Sequence, residues 1–401
     1  MTTALSAPLR HKNFRRLTTG RTFTVFGNAV APVALAFAVL DLNGSATDLG
    51  IVVGARSLAS VVLLLFGGML ADRLPRSVIL QGTEVAATIT QAMIALSVLC
   101  GFSSIPLLVV LSIVNGGVAA LSLPAASAIT PQTVPTELLT PANALARMLA
   151  NISRIAGAAL AGVLVAAVGS GWAIAANAAL FAVAAVFYRR VQLPEAVKPA
   201  KTSVLADLAA GWHEFRSRTW VWVVVLQFMV VNAVSVGGVV ILGPIIADST
   251  FGRAGWGFIL AAQTAGAFAG GFLAAKWQPR RALLLGVGLT LADAIPMVTL
   301  AEAPQVFALL ITMFVTGLAM EQFGIAWDVS LQQNVPEDKL ARVYSYDMLG
   351  SMVAMPLGQV TVGPLAAHFG TGTTLLAGAA LVVATTLLAL LSRDIRTLTR
   401  H

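Results

Sequence analysis

Phe66–Leu80 reads FGGMLADRLPRSVIL. Asp72, Arg73 and Arg76 stand together at its centre beside Pro75, yet the flanking stretches, Ser57–Leu65 and Val78–Leu99, are almost wholly apolar. Two long apolar runs joined by a short charged turn read as two membrane crossings joined at one face. A crossing helix needs about 20 apolar residues to traverse a hydrocarbon core of roughly 30 Å. A second run, AGGFLAAKWQPRRALL at Ala269–Leu284, has the same layout without the acid.

The whole chain agrees with that reading. Of its 401 residues 58% are hydrophobic and 10% charged, and mean hydropathy is +0.86. A soluble domain carries about 25% charged residues. Twelve apolar segments are expected, at about 17–40, 49–70, 78–99, 105–126, 143–168, 171–190, 220–246, 255–276, 281–300, 304–328, 345–367 and 372–391. They are expected to be helices, because a spanning backbone has to satisfy its own hydrogen bonds and the runs lack the alternation of a membrane barrel.

The net charge of +8 is explained by where the bases lie. With the N-terminus inside, twenty of the 25 Lys and Arg fall on the inner side, from Arg10 to Arg400, and the outer loops hold only Arg253. Those outer loops carry Asp41, Asp48, Asp248 and Glu302 instead. Cytoplasmic loops are the basic ones, so both termini are expected to be cytoplasmic, in a plasma-membrane protein. The basic balance is a topology signal, and no nucleic-acid partner is expected. The single cysteine, Cys100, excludes an internal disulfide.

The chain repeats itself. TPQTVPTELL (130–139) resembles LQQNVPEDKL (331–340), and at the same offset Gly157 matches Gly358, Gly162 matches Gly363 and Gly169 matches Gly370. Gly67–Gly68 reappears as Gly270–Gly271. Two parallel six-helix halves account for this, since six crossings return the chain to the same side. The expected division is an N-terminal bundle at 1–190, a linker at 191–218 and a C-terminal bundle at 219–401. Within the linker, Val204, Leu208, Trp212 and Phe215 recur at helical spacing, which predicts a short amphipathic helix on the inner membrane surface.

Twelve helices in two parallel halves, a basic central loop and GGMLADRLPR between the second and third spans together resemble the major facilitator superfamily. Gly68, Leu70, Ala71, Asp72, Arg73 and Arg76 match that family's loop motif; Pro75 and Ser77 depart from it. NFRRLTTGR, NGSATDLGIVVGAR and VPTELLTPANAL resemble the branch of drug and siderophore exporters that includes macrolide-efflux and enterobactin-export proteins. RIAGAALAGVL, in the fifth span, resembles the exporters' glycine signature at Gly157 and Gly162, with Ala158 and Ala161 departing from it. The branch often has an acid where Asn28 stands, and Ser112 stands where the family usually has an arginine.

The resemblance implies a secondary transporter working by alternating access, with a small-molecule substrate, protons as the coupling ion, the lipid bilayer as its setting and a monomer as the default state. Export of a hydrophobic or amphiphilic compound is the leading expectation; a proton-coupled importer and a transport-dead sensor on the same fold are the alternatives. The resemblance further implies that the turn from Gly68 to Arg76 docks at the start of the eleventh helix. A carboxylate such as Asp72 suits a helix N-terminus. Arg73 and Arg76 have Asp347, Glu84 and Asp328 as acids available to close the inner mouth.

Charges inside spans usually face protein or water and carry function. Arg147, Asn151 and Arg154 share one face of the fifth span. Glu321, in the tenth, is the first choice for proton coupling, because carboxylates held in apolar surroundings are common proton carriers. Asp293 in the ninth span is a secondary candidate. Asn28, Gln91, Asn115, Asn232, Gln263 and Gln322 are expected either to form a polar cavity wall or to bond across helices, with Met320, Phe323 and Trp327 either in the cavity or in the core. No GxxxxGK[ST] phosphate loop, no HExxH and no acid–histidine cluster occurs, and His11, His213, His368 and His401 are scattered. Neither a metal, a cofactor nor an enzymatic activity is therefore expected.

Overall fold

A computed structural model of the chain describes residues 7–71, 76–127, 129–191, 212, 215–277 and 279–399. These residues contain no strand and provide twelve helices long and apolar enough to cross a membrane. They are α1 (Lys12–Asp41), α2 (Ala46–Ala71), α3 (Arg76–Leu99), α4 (Ile105–Ser127), α5 (Leu139–Val168) and α6 (Ser170–Arg189). The second six are α7 (Thr219–Ser249), α8 (Arg253–Lys276), α9 (Ala282–Glu302), α10 (Val306–Asn334), α11 (Glu337–Val353 continued by Met355–Phe369) and α12 (Thr371–Leu391). Several helices overrun their apolar runs. α1 begins at Lys12 and α10 continues to Asn334, because a helix started in lipid continues into water where its polar residues are solvated.

The chain divides into two compact units, Met1–Pro199 and Ala200–His401. In the first, α1 packs on α5 and α6, α2 on α4, and α3 on α4 and α6. In the second, α7 packs on α11 and α12, α8 on α10, and α9 on α10 and α12. The pairing is the same with every number raised by six.

Glycines permit close approach at several of these crossings. A Cβ on Gly157 would overlap the Phe26 carbonyl of α1, and one on Gly358 would overlap the Ala233 carbonyl of α7. Small residues let membrane helices approach where no hydrophobic effect drives them together. Gly162 and Gly363 are buried on the same two helices, α5 and α11.

Three helices of the second unit are irregular, each beside a proline. In α7, Val236–Leu242 is a π-helical segment immediately before Gly243–Pro244. α11 breaks at Ala354, two residues before Pro356. α9 passes through a 3-10 turn at Thr290–Asp293 ahead of Pro296. Proline has no N–H for the carbonyl four residues earlier, which for Pro296 is that of Ala292. Thr316 of α10 supplies the missing donor, its Oγ1 lying 2.9 Å from Ala292 O.

The surface helix expected within 191–218 lies largely outside the described residues. Of its named apolar positions, Trp212 and Phe215 are described, their rings 5.8 Å apart and each in contact with Tyr346 of α11. Asp72 and Arg73 also lie outside the described residues, as does the side chain of Arg76.

Gly358→Val should lower the thermal midpoint of the detergent-purified protein by several degrees or abolish its monodisperse elution. Overpacking at such a contact costs about 1–3 kcal/mol or more. Gly288→Ala, where an added Cβ meets nothing within 4 Å, should leave both readouts unchanged or slightly improved.

Candidate functional site

In the second unit α7, α10 and α11 leave a cavity of about 490 Å³ between them. Its wall is mostly apolar and aromatic, with Phe228, Phe323 and Trp327 prominent and Met320, Met348 and Met352 beside them. The rings form one packed group: Phe228 and Phe323 have centroids 4.8 Å apart, and Trp327 meets Trp220 edge-on at 5.6 Å. This packing holds Trp327 so that its indole N–H points at a carboxylate.

That carboxylate is Asp347. Trp327 Nε1 donates to its Oδ2 at 2.9 Å, and Ser351 Oγ donates to its Oδ1 at 3.4 Å. Asp328 lies in the same wall and accepts from Tyr344 Oη at 3.3 Å, while Tyr344 accepts from Gln332 Nε2 at 3.4 Å. Asn232 of α7 donates to Ser351 O at 3.0 Å, tying α7 to α11 at the cavity. An apolar cavity with a few fixed polar groups is the form that small-molecule sites take. Asp328 and Asp347 stand in this wall beside the aromatic faces.

A second, larger cavity of about 650 Å³ lies between α7, α9, α11 and α12 of the same unit, beside the π-helical segment. Its lining holds no charged residue, and Thr361, Thr373 and Thr374 are its only polar side chains. It can accept an apolar group but has little with which to orient one. The smaller cavity is therefore the better candidate.

The structure separates the residues that the sequence nominated. Asp347 and Asn232 share the α7–α10–α11 cavity, and the Met320, Phe323 and Trp327 set lines it as well. Glu321 does not line it. It packs against α8, where a Cβ on Gly270 would lie 2.9 Å from the Glu321 Cβ. Its neighbour Gln322 donates to Gly270 O at the same crossing, so Gln322 serves helix contact and leaves the cavity wall. Asp293 faces α7, accepting from Ser235 Oγ at 2.6 Å. Arg154 and Asn151 lie together on α5, Nη1 to Oδ1 at 3.2 Å, with Arg147 and Arg154 on the exposed face of the first unit. Asn28 lines a small cavity of the first unit with Glu84. Glu84 had been grouped with the acids of the inner mouth, but it is 4% exposed and turned toward Thr24 of α1.

Sequence reasoning missed two features here. The Asp328–Tyr344–Gln332 chain was legible only in part: Asp328 was noted as an acid, and nothing in the sequence joined it to Tyr344. The Ser235–Asp293 bond could have been suspected from a serine and an acid in two proline-bearing spans, but their pairing depends on how α7 and α9 pack.

Residues 17–359 match the family profile described as Major Facilitator Superfamily. The chain is 25% identical over 395 residues to the multidrug efflux pump Tap of Mycolicibacterium fortuitum, covering 94% of this chain and 93% of that one. Among solved structures, the crystal structure of the nucleoside transporter NupG superposes with a TM-score of 0.76 at 15% identity, covering 96% of this chain and 99% of that one. An inward-facing bacterial homologue of the human lysosomal transporter Spinster gives 0.76 at 17% identity, covering 96% and 97%. At such identities the two structures speak for the fold. The profile match spans most of the sequence, and with the twelve helices it makes the chain a multi-pass membrane protein that belongs to the Major Facilitator Superfamily, a transporter and not an enzyme.

Proposed function

We propose that this protein is a proton-driven exporter of amphiphilic small molecules, working by alternating access in the plasma membrane with both termini cytoplasmic. The observation that carries the substrate class is the α7–α10–α11 cavity, which sets Asp347 and Asp328 into an aromatic and methionine-rich wall. Aromatic rings and methionine take up varied apolar surfaces. The two carboxylates match a positive charge on the same compound. The outward direction is supported by the similarity to an efflux pump over nearly the full length of both chains, and by the glycine run of α5. The orientation rests on the distribution of Lys and Arg.

In this reading Asp347 is the charged anchor and Trp327 its positioning residue. The turn from Gly68 to Arg76 is proposed as the gate that closes the inner mouth, on the strength of its motif. Arg154, exposed on α5, and the half-buried Asn151 beside it are proposed as further substrate contacts.

The test is accumulation of macrolides, cationic dyes and catecholate siderophores in an efflux-deficient bacterium, with and without a protonophore. The protein should lower accumulation of at least one amphiphile, and the protonophore should abolish the effect. A rise in accumulation would instead turn the reading to import. Asp347→Asn should weaken apparent affinity for a cationic dye by roughly tenfold or more, the scale of one charge-assisted contact, and should spare neutral compounds. Trp327→Phe should produce a smaller loss of the same kind, since the ring stays and only the N–H is removed. Asp72→Asn should sharply reduce transport of every substrate at normal expression; wild-type rates would remove the turn from the mechanism.

A further inference from the structure

The two units place a buried polar cluster at the same point, where the first, third and sixth helices of each meet. In the second unit the cluster is Gln227 of α7, Thr290 of α9 and Thr386 of α12. Gln227 Nε2 donates to the two threonine hydroxyls at 2.9 and 3.0 Å, and these lie 3.0 Å from each other. All three groups are neutral, and they tie three helices together, with Gln227 Oε1 left buried and without a partner. In the first unit the cluster is Thr24 of α1, Glu84 of α3 and Tyr188 of α6. Thr24 Oγ1 donates to Glu84 Oε1 at 2.8 Å and lies 3.3 Å from Tyr188 Oη. Glu84 Oε2 is buried with no hydrogen-bond partner.

The second unit shows that neutral side chains suffice to join these helices. The charge at Glu84 is therefore surplus to packing. Its surroundings give that charge little support. No Lys or Arg lies within ion-pair distance of Glu84 among the described residues. The titratable or charged groups nearby are Tyr188 on α6 and Arg21 on α1, which acts on Tyr188 electrostatically. Among the described residues α4 contributes Asn115, Val118, Ala119 and Ser122 to this cavity.

Glu84 borders a cavity of about 40 Å³ that Asn28, Asn115 and Ser122 also line. A single water needs roughly 10–15 Å³ of such space, so the cavity has room for a water beside Glu84. Asn115 uses its amide nitrogen on Thr90, at 3.3 Å, and keeps its carbonyl oxygen as an acceptor. An unpaired carboxylate in an apolar interior is strongly disfavoured, while the neutral acid is not. The neutral form would also turn the orphan oxygen into an O–H donor.

We propose that Glu84 is the proton-carrying residue of this transporter. It takes one proton from water in the small cavity when that cavity is wetted, holds it as the neutral acid while sealed, and returns it to water in the other state; no other bond changes. This rests on the proton-driven reading above and moves the coupling role from Glu321 to the α1–α3–α6 cluster.

The experiment uses the full-length protein in two arms. In the first, infrared difference spectra of the purified protein in lipid are recorded as pH is stepped. A protonated-carboxyl band that grows as pH falls, shifts in Thr24→Val and is absent in Glu84→Gln is the expected result. In the second, ethidium movement is measured in proteoliposomes. Glu84→Gln should lose uphill ethidium movement driven by a pH gradient while keeping ethidium exchange down its own gradient at near wild-type rate. Glu84→Asp, which keeps the acid, should restore part of the coupled movement. Full pH-driven transport in Glu84→Gln, a sodium gradient that drives transport in place of protons, or a titrating band that survives Glu84→Gln would each overturn the proposal. A wild type that moves no ethidium in either mode would count against the exporter reading alone, and the infrared arm would still decide whether Glu84 binds a proton.

Discussion

A chain in lipid has no water to satisfy its backbone, so every N–H and C=O within a span must find its partner inside the protein. That constraint makes each of the twelve crossings a helix, and it dictates what happens where a helix is interrupted. Pro296 leaves the Ala292 carbonyl without its N–H, and Thr316 of the neighbouring helix fills the gap. Ser235 stands at the entrance to the π-helical segment of α7 and bonds to Asp293, at the end of the 3-10 turn of α9. The irregular turns of the second unit are thus tied to neighbours by side chains.

The same constraint shapes the contacts between helices. Because lipid tails are as apolar as leucine, close approach has to come from small residues. Gly157 against α1 and Gly358 against α7 are the same solution used once in each unit. The buried polar clusters show where the two repeats diverged. Each cluster leaves one buried side-chain oxygen without a partner, Gln227 Oε1 in the second unit and Glu84 Oε2 in the first, but only the latter belongs to a group that can ionise. A duplicated scaffold can keep one copy for packing and give the other a charge.

The candidate substrate surface follows a related logic. Asp347 can sit in a wall of aromatic and methionine side chains because Trp327 and Ser351 each give it a hydrogen bond. Those bonds hold the carboxyl group in place at the cavity wall. Aromatic packing of Trp327 on Trp220, and of Phe323 on Phe228, keeps the wall rigid behind it.

The sequence by itself determined the number of crossings, their helical form, the twofold repeat and the family. These depend on apolar run length, on the placement of Lys and Arg and on a local motif, all of which are read along the chain. It also named Asp347, Asn232 and Trp327 as residues of interest. It could not place Glu84 and Glu321, because a charge in a span looks the same in sequence whether it faces a cavity, a neighbouring helix or the inner mouth. Glu321 is set against Gly270 by the packing of α8 on α10. Glu84 is defined by Thr24 and Tyr188, which lie 60 residues before it and 104 residues after it. Only the tertiary structure brings α1, α3 and α6 together, and only there does one carboxylate oxygen prove to be buried and unpartnered.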